Sequence, residues 1–262
     1  MHEIFKRNCL VQWLIKKGYG KTALKKRREQ RKIITVMQKN GKIDKETAVF
    51  SGIAGVLFYL PEYKNDVVQK EIVLECDYYE GELLRSINKY IPQKLYNVLD
   101  IGANIGSHTL YFHKVLGAEK VYSFEPIGST FAILKKNIEL NKLENGTILE
   151  NVGVGANRGR AVIRAQEKNN RGMTSLSSDE NGEIEIRSID SYRIEKVSLM
   201  KIDTEGFEVE VLQGAKETIQ CCRPVIIVEI DTENEDAVNG MMEEWHYHMA
   251  CKRGNNYIFI ST

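Results

Sequence analysis

From residue 97 onward, short continuous apolar runs alternate with stretches of helical spacing. The pattern predicts a strand at 97–101 before a helix at 106–116, and a strand at 120–124 before a helix at 128–141. A strand at 147–152 follows, and the alternation resumes with a strand at 197–202 and a helix at about 207–219. Residues 224–230 are so apolar that they are expected at the centre of a sheet. Strands of this kind between helices mean a parallel sheet covered on both faces. Ahead of the core, 67–74 reads as a strand and about 80–90 as a helix ended by Ile91-Pro92.

Two segments break the alternation. Between 159 and 192, "RAVIRA" and "EIEIRS" alternate like strands around a polar loop, a hairpin-like insertion. Within it, "NNRGMTSL" (169–176) is expected to be either a substrate loop or a plain solvated one. The chain's last 18 residues read as two strands around a turn at 253–256, an antiparallel pair that closes the sheet.

Charge divides the chain. Residues 1–45 hold 14 Lys and Arg against 3 Asp and Glu, and the remainder 23 against 33, so a basic arm precedes an acidic body. The arm is expected to be helical, with Ile4, Val11, Leu14 and Ile15 on one apolar face. "KTALKKRREQRK" (21–32) suits a solvated face or, with Phe5 and Trp13 nearby, an anionic membrane surface. No signal peptide is read in 10–15, and the apolar run 48–60 is too short to span a bilayer. Cys9, Cys76, Cys221, Cys222 and Cys251 form no C-x-x-C pair, which points to a reducing, cytoplasmic setting without structural zinc. His246 and His248 read as surface residues, and no metal is expected.

Chemistry first surfaces at "NVLDIGANIGSHTLYF" (97–112), where an apolar strand ends in Asp100 and a turn carries Gly102 and Gly106. Strand, glycine turn and helix in that order make a nucleotide-type cofactor site. The dinucleotide spacing is absent, because Asn104 stands where the second glycine belongs. Acids recur at the carboxyl ends of the other strands: Glu125 in "VYSFEP", Asp203 and Glu205 in "LMKIDTEG", and Glu229 in the fifth. So many carboxylates repel a pyrophosphate and suit a cofactor with a ribose diol, an ammonium and a sulfonium. S-adenosylmethionine fits those demands better than NAD, with Glu125 placed for the ribose hydroxyls.

"VLDIGANIGSHTLYF", "KVYSFEP", "SIDSY", "LMKIDTEGFEVEVLQGA" and "PVIIVEI" together resemble the FkbM-type methyltransferases, a branch of the class I S-adenosylmethionine-dependent enzymes. The resemblance runs from about Tyr78 to the C-terminus and leaves out the basic arm. It implies an α/β, Rossmann-like sheet of seven mostly parallel strands with an antiparallel C-terminal strand. The expected organisation is a helical basic extension at 1–66 and a methyltransferase domain at 67–262. The family also implies O-methylation of a hydroxyl on a sugar, a glycan or a secondary metabolite, as in polysaccharide biosynthesis.

Cofactor contacts are expected from Asp100, Gly102, Ala103, Asn104, Gly106, Ser107, Glu125 and Pro126. Asn151 and Val152, in "NVGVG", stand where the adenine would lie, although this stretch departs from the family's usual pattern. Tyr79 and Glu80 match a Y-E pair of the family, which would close over the methionine end or simply pack and open a helix. Asp203 is the first candidate for general base. Glu205 would bind substrate or cap the next helix, and Glu229 is a further candidate for the base or else only orients neighbours or binds substrate. His108 would accept a proton or line the cofactor's carboxylate end. The rival readings are an RNA or DNA methyltransferase and a non-catalytic cofactor-binding module. Asp203-Thr204-Glu205-Gly206 lacks the proline of a base-amine methylase motif, which argues against nucleic acid. The acceptor is thus expected to be a glycan or small molecule, and the enzyme cytoplasmic, with the arm able to rest on the inner membrane face.

Overall fold

The computed structural model describes residues 23–167 and 170–262, which fall into two compact units divided between Tyr79 and Glu80. In the first, helix α1 (Ala23–Lys39) buries Ile33, Ile34 and Met37 and leaves Arg31, Lys32 and Lys39 exposed. Strands β1 (Val49–Phe50) and β2 (Phe58–Tyr59) pair antiparallel, and helix α2 spans Val67–Glu75. The expected strand at 67–74 is therefore a helix. The Asp66 side chain caps it by accepting from the Gln69 N–H (2.9 Å), and Val68, Ile72 and Val73 are buried at helical spacing. The cap outweighs the strand-like composition of the apolar run. The apolar positions read in the arm (4, 11, 14, 15) lie outside the described residues.

The second unit opens with α3 (Gly81–Ile87) and then follows the expected alternation. Its elements are β3 (Asn97–Ile101), α4 (Ser107–Lys114), β4 (Lys120–Phe124), α5 (Gly128–Leu140) and β5 (Thr147–Glu150). After the insertion come β10 (Val197–Ile202), α6 (Glu208–Gly214), α7 (Lys216–Cys222) and β11 (Val225–Glu229). The helix expected over 207–219 is thus two, broken at Ala215 after Gly214, a poor helix former. A helix that the pattern did not predict, α8 (Glu235–Glu244), buries Val238 and Met242 ahead of β12 (Tyr247–Arg253) and β13 (Asn256–Ser261).

The seven strands lie in the order β12-β13-β11-β10-β3-β4-β5. β11, β10, β3, β4 and β5 are parallel, and β13 runs antiparallel between β11 and β12. Leu99, Ile101, Met200, Ile202, Ile226 and Val228 are buried in the middle strands, as both-face coverage requires.

The insertion builds its own four-stranded sheet from β6 (Gly153–Val154), β7 (Gly159–Glu167), β8 (Asn170–Ser178) and β9 (Ile184–Arg187). The polar loop expected between two strands is therefore mostly strand: 170–178 pairs antiparallel with β7, and 168–169 lie outside the described residues. Ser and Thr suit an outer strand, and backbone pairing overrides the loop-like composition. The reading of 169–176 as a substrate loop is corrected accordingly. No helix among the described residues is long and apolar enough to cross a membrane.

Candidate active site

β3 and β10 are neighbours, paired in parallel with Ile202 opposite Ile101, so the loops that leave them meet. Asp203 N–H donates to the Ile101 carbonyl (3.0 Å). Gly102 has φ +77°, and a Cβ there would lie 1.7 Å from the Asp203 carbonyl oxygen. Only glycine permits both that backbone and that approach. Gly102 and Ala103 N–H groups both donate to the Phe124 carbonyl (3.0 and 2.9 Å), tying the turn to β4. Gly106, at φ +86°, opens α4, and Ser107 and His108 are buried in its first turn.

Glu125, just past β4, is buried and organises the loop. Its Oε2 accepts from the Asn104 N–H and its Oε1 from the Ile127 N–H, both at 2.9 Å. Burial pushes its pKa up to about 7, opposed by the two backbone donors. Each oxygen keeps a second lone-pair site, which suits the hydroxyls of a ribose. Asn104 takes φ +50°, a left-handed backbone that asparagine tolerates, and this lets it replace a glycine. Asn151 donates from Nδ2 to the Glu125 and Pro126 carbonyls (2.8 and 3.1 Å), so it braces the β4 turn and is exposed, while Val152 is buried.

Asp100 is fully buried. Its Oδ2 accepts from Thr109 Oγ1 (2.6 Å), which also meets Ser123 Oγ (2.8 Å). Burial raises its pKa, Lys201 and Thr109 oppose that, and Asp203 adds to it. Its Oδ1 is buried with no hydrogen-bond partner, an acceptor of the kind an ammonium group satisfies.

The other wall is carboxylate-rich. Asp203 Oδ2 accepts from Lys201 Nζ (2.7 Å). Glu205, on a left-handed backbone, is pushed up to about 8 by burial and by Asp203, Glu229, Asp231 and Glu208. Glu229 is pushed up to about 7 by burial, Asp203 and Glu80, with Lys201 opposing. Buried Glu208, at the start of α6, accepts from the Gly206 N–H (2.7 Å) and from Asn234 Nδ2 (2.8 Å). Glu80, which precedes α3, lies 3.6 Å from His108 Nε2 and accepts from Asn256 Nδ2 (3.2 Å). Asn256 pairs with Glu229 between β13 and β11.

The structure thus brings Asp100, Gly102, Asn104, Gly106 and Glu125 into one loop system, with Asp203, Glu205 and Glu229 beside one another and Glu80 beside His108. Tyr79 ends the first unit and is half-buried. Sequence reasoning missed Lys201, Glu208, Asp231 and Asn256. Lys201 had a signal, a lone charge in the apolar strand V-S-L-M-K-I, whereas Asn256 had none.

Sheet order, glycine loop and acid-ended strands define a Rossmann-like methyltransferase fold. The chain belongs to the family of the methyltransferase FkbM domain, whose sequence model matches residues 100–259. It is 25% identical to "Methyltransferase 1" of Beauveria bassiana, over 45% of this chain and 57% of that protein. It is 27% identical to the hexuronic acid methyltransferase AglP of Haloferax volcanii, over 49% of this chain and 53% of that one. The chain therefore spans little more than half the length of these curated relatives. Among solved structures it resembles methyltransferase FkbM from Methylobacillus flagellatus, with a TM-score of 0.53 and 19% identity over 72% of this chain and 52% of that one.

Proposed function

We propose that this protein is an S-adenosylmethionine-dependent O-methyltransferase acting on a hydroxyl of a sugar, glycan or related small molecule. One observation carries the reading. Asp203, a carboxylate held by a buried ammonium, lies at the end of the strand that adjoins the glycine loop. The hexuronic acid methyltransferase among the relatives supports a sugar-type acceptor.

The residues present fit the cofactor. Glu125 would take the ribose hydroxyls, Gly102, Ala103, Asn104 and Gly106 let the backbone approach it, and the unbonded Asp100 Oδ1 suits its ammonium. Ser107, Pro126, Asn151 and Val152 complete that side, with Glu80 and Tyr79 as further candidates. When bound, S-adenosylmethionine supplies an electrophilic methyl group on a sulfonium. What remains for the chain is to hold a hydroxyl in line and receive its proton. Asp203 Oδ1, which no described side chain bonds, accepts that proton while Oδ2 stays on Lys201. Glu205, raised to about 8, keeps its proton near neutral pH and can donate a hydrogen bond to an acceptor oxygen, while Glu229, raised to about 7, is there close to half protonated. His108, beside Glu80, is a positioning partner in this scheme.

Titration calorimetry tests the cofactor half: S-adenosylmethionine and S-adenosylhomocysteine should bind and NAD should not. Mass spectrometry over a panel of neutral and uronic glycosides tests the acceptor half by the gain of one methyl group. No cofactor binding would overturn the whole reading, and methyl transfer to a nucleobase amine would replace the acceptor half.

We also propose that the basic N-terminal segment docks on anionic membrane surfaces. The described part of it, α1, buries its apolar residues and turns Arg31, Lys32 and Lys39 outward. The full chain should then pellet with phosphatidylserine vesicles at low salt and stay in the supernatant at high salt. Equal pelleting with neutral vesicles would remove that reading.

A further inference from the structure

Lys201 is a lysine in the wrong place for a structural residue. Its neighbours Leu199, Met200 and Ile202 are fully buried and apolar, and its own side chain is 4% exposed. Burying an ammonium costs several kcal/mol unless it is well paired, whereas Leu or Met would fill the same space without that penalty. The pairing present is one-sided. Nζ donates to Asp203 Oδ2 at 2.7 Å on the same strand end, and the register sets Lys201 across from Asp100 on β3. Its partner on β11 is the uncharged Ile227. Burial pushes the ammonium's pKa down, but Asp203, Asp100 and Glu80 together hold it above its usual value. Lys201 in turn pulls down both Asp100 and Glu229.

We infer that Lys201 is a positioning residue of the active site, which fixes the Asp203 carboxylate through Oδ2 and leaves Oδ1 for the acceptor's hydroxyl. It is also the shared counter-charge of Asp100, its register partner on β3, and of Glu229, two residues past its register partner Ile227 on β11. The inference rests on the role proposed above for Asp203. One ammonium on β10, set across from Asp100 on β3, offsets the repulsion among the carboxylates beside the cofactor loop. Its charge decides how many of those carboxylates are ionised together, and therefore which of them can accept a proton.

The test needs neither cofactor nor acceptor. The full chain, with carbon-13 in its glutamate and lysine side chains, is titrated by NMR, and Glu229 is assigned through E229Q. In the wild type Glu229 should titrate near 7. K201M should raise that midpoint by about one pH unit or more, the size of a close charge–charge term. K201R keeps the charge and should bring the midpoint back. An unmoved midpoint in folded K201M, or a folded K201R that titrates like K201M, overturns the counter-charge role. D203N should lower the Lys201 midpoint, because the partner at 2.7 Å loses its charge, and an unmoved lysine overturns the pairing. If K201M does not fold, the wild type still decides: Lys201 must keep its proton through pH 9, and losing it below that refutes the inference. Failure of the methyl-transfer reading shows separately, as absent S-adenosylmethionine binding, and leaves these titrations standing.

Discussion

Glu125 and Glu205 are both carboxylates just past the carboxyl ends of β4 and β10, the two strands that flank β3, and burial pushes both far above the ordinary range. What surrounds them differs. Glu125 has a backbone N–H on each oxygen, from Asn104 and Ile127, in a loop itself bonded to β4. Glu205 sits on a strained left-handed backbone, no described residue hydrogen-bonds its carboxylate, and it faces Asp203, Glu229, Asp231 and Glu208. The first wall is finished by the main chain before any ligand arrives. The second is a set of like charges balanced by Lys201, and its order depends on protons and on what binds. In the reading proposed above, the first wall takes the cofactor by fixed geometry and the second meets the acceptor by charge.

The largest effect should come from the charged wall. D203N keeps the shape of Asp203 and removes its basicity. Turnover should fall about 10²–10⁴-fold, or roughly 3–5 kcal/mol of barrier, with the S-adenosylmethionine dissociation constant little changed. Poor cofactor binding by this variant would place Asp203 in the fixed wall, and near-normal turnover would move the base to Glu229 or His108.

Next comes the seam between the walls. In G102A a methyl group must occupy space 1.7 Å from the Asp203 carbonyl, on a backbone at φ +77°. Strain and overlap together should destabilise the fold by about 3 kcal/mol. Gly117 has a similar φ of +68° with nothing within 4 Å, so G117A should cost only about 1 kcal/mol. Urea unfolding of the two variants separates backbone strain from close approach, and equal losses would mean that the β3–β10 contact contributes nothing.

The fixed wall was legible in the sequence because its parts are local. Asp100, Gly102, Asn104 and Gly106 lie within seven residues, and Glu125 ends the next strand. The charged wall was legible only in its acids. Lys201 shows its meaning once β10 is set beside β3, and Asn256 comes to Glu80 through β13, which inserts between β11 and β12. Local composition misled twice. A β-branched run at 67–74 hid a helix whose evidence was the Asp66 cap, and a Ser- and Thr-rich stretch hid β8, which pairs antiparallel with β7. Alternation gave the parallel sheet covered on both faces, whereas the seven-strand count with an antiparallel last strand followed from the family resemblance, and the β10–β3 adjacency is the order that fold implies.

E125Q probes the fixed wall directly. Glutamine keeps one acceptor oxygen but turns an NH₂ toward either the Asn104 or the Ile127 N–H. A donor facing a donor in a buried place should cost about 1–3 kcal/mol, in thermal stability and in cofactor affinity alike. If affinity falls while stability does not, Glu125 serves the ligand alone, and the loop is held by the Phe124 carbonyl instead.

The smallest effect distinguishes the walls by pH. Glu125, Glu205 and Glu229 have folded-state pKa values near 7, 8 and 7, all raised from the usual carboxylate range. A raised carboxylate means that the folded state holds its proton more tightly than the unfolded chain does. The stability it contributes is full below the unfolded value, about 4.5, and is lost as pH rises through the folded one. The protein should therefore weaken progressively between about pH 5 and pH 8. E205Q is neutral at every pH and removes one of the facing charges. It should match the wild type near pH 5, weaken less steeply, and be about 1 kcal/mol more stable at pH 8.5, after allowance for solvent screening of a half-exposed group. E125Q should show no such gain, because its lost hydrogen bonds outweigh the charge relieved. Urea midpoints at pH 5.5, 7.0 and 8.5 decide it. A wild-type slope in E205Q would mean that neither burial nor the facing carboxylates raise Glu205 in the folded chain.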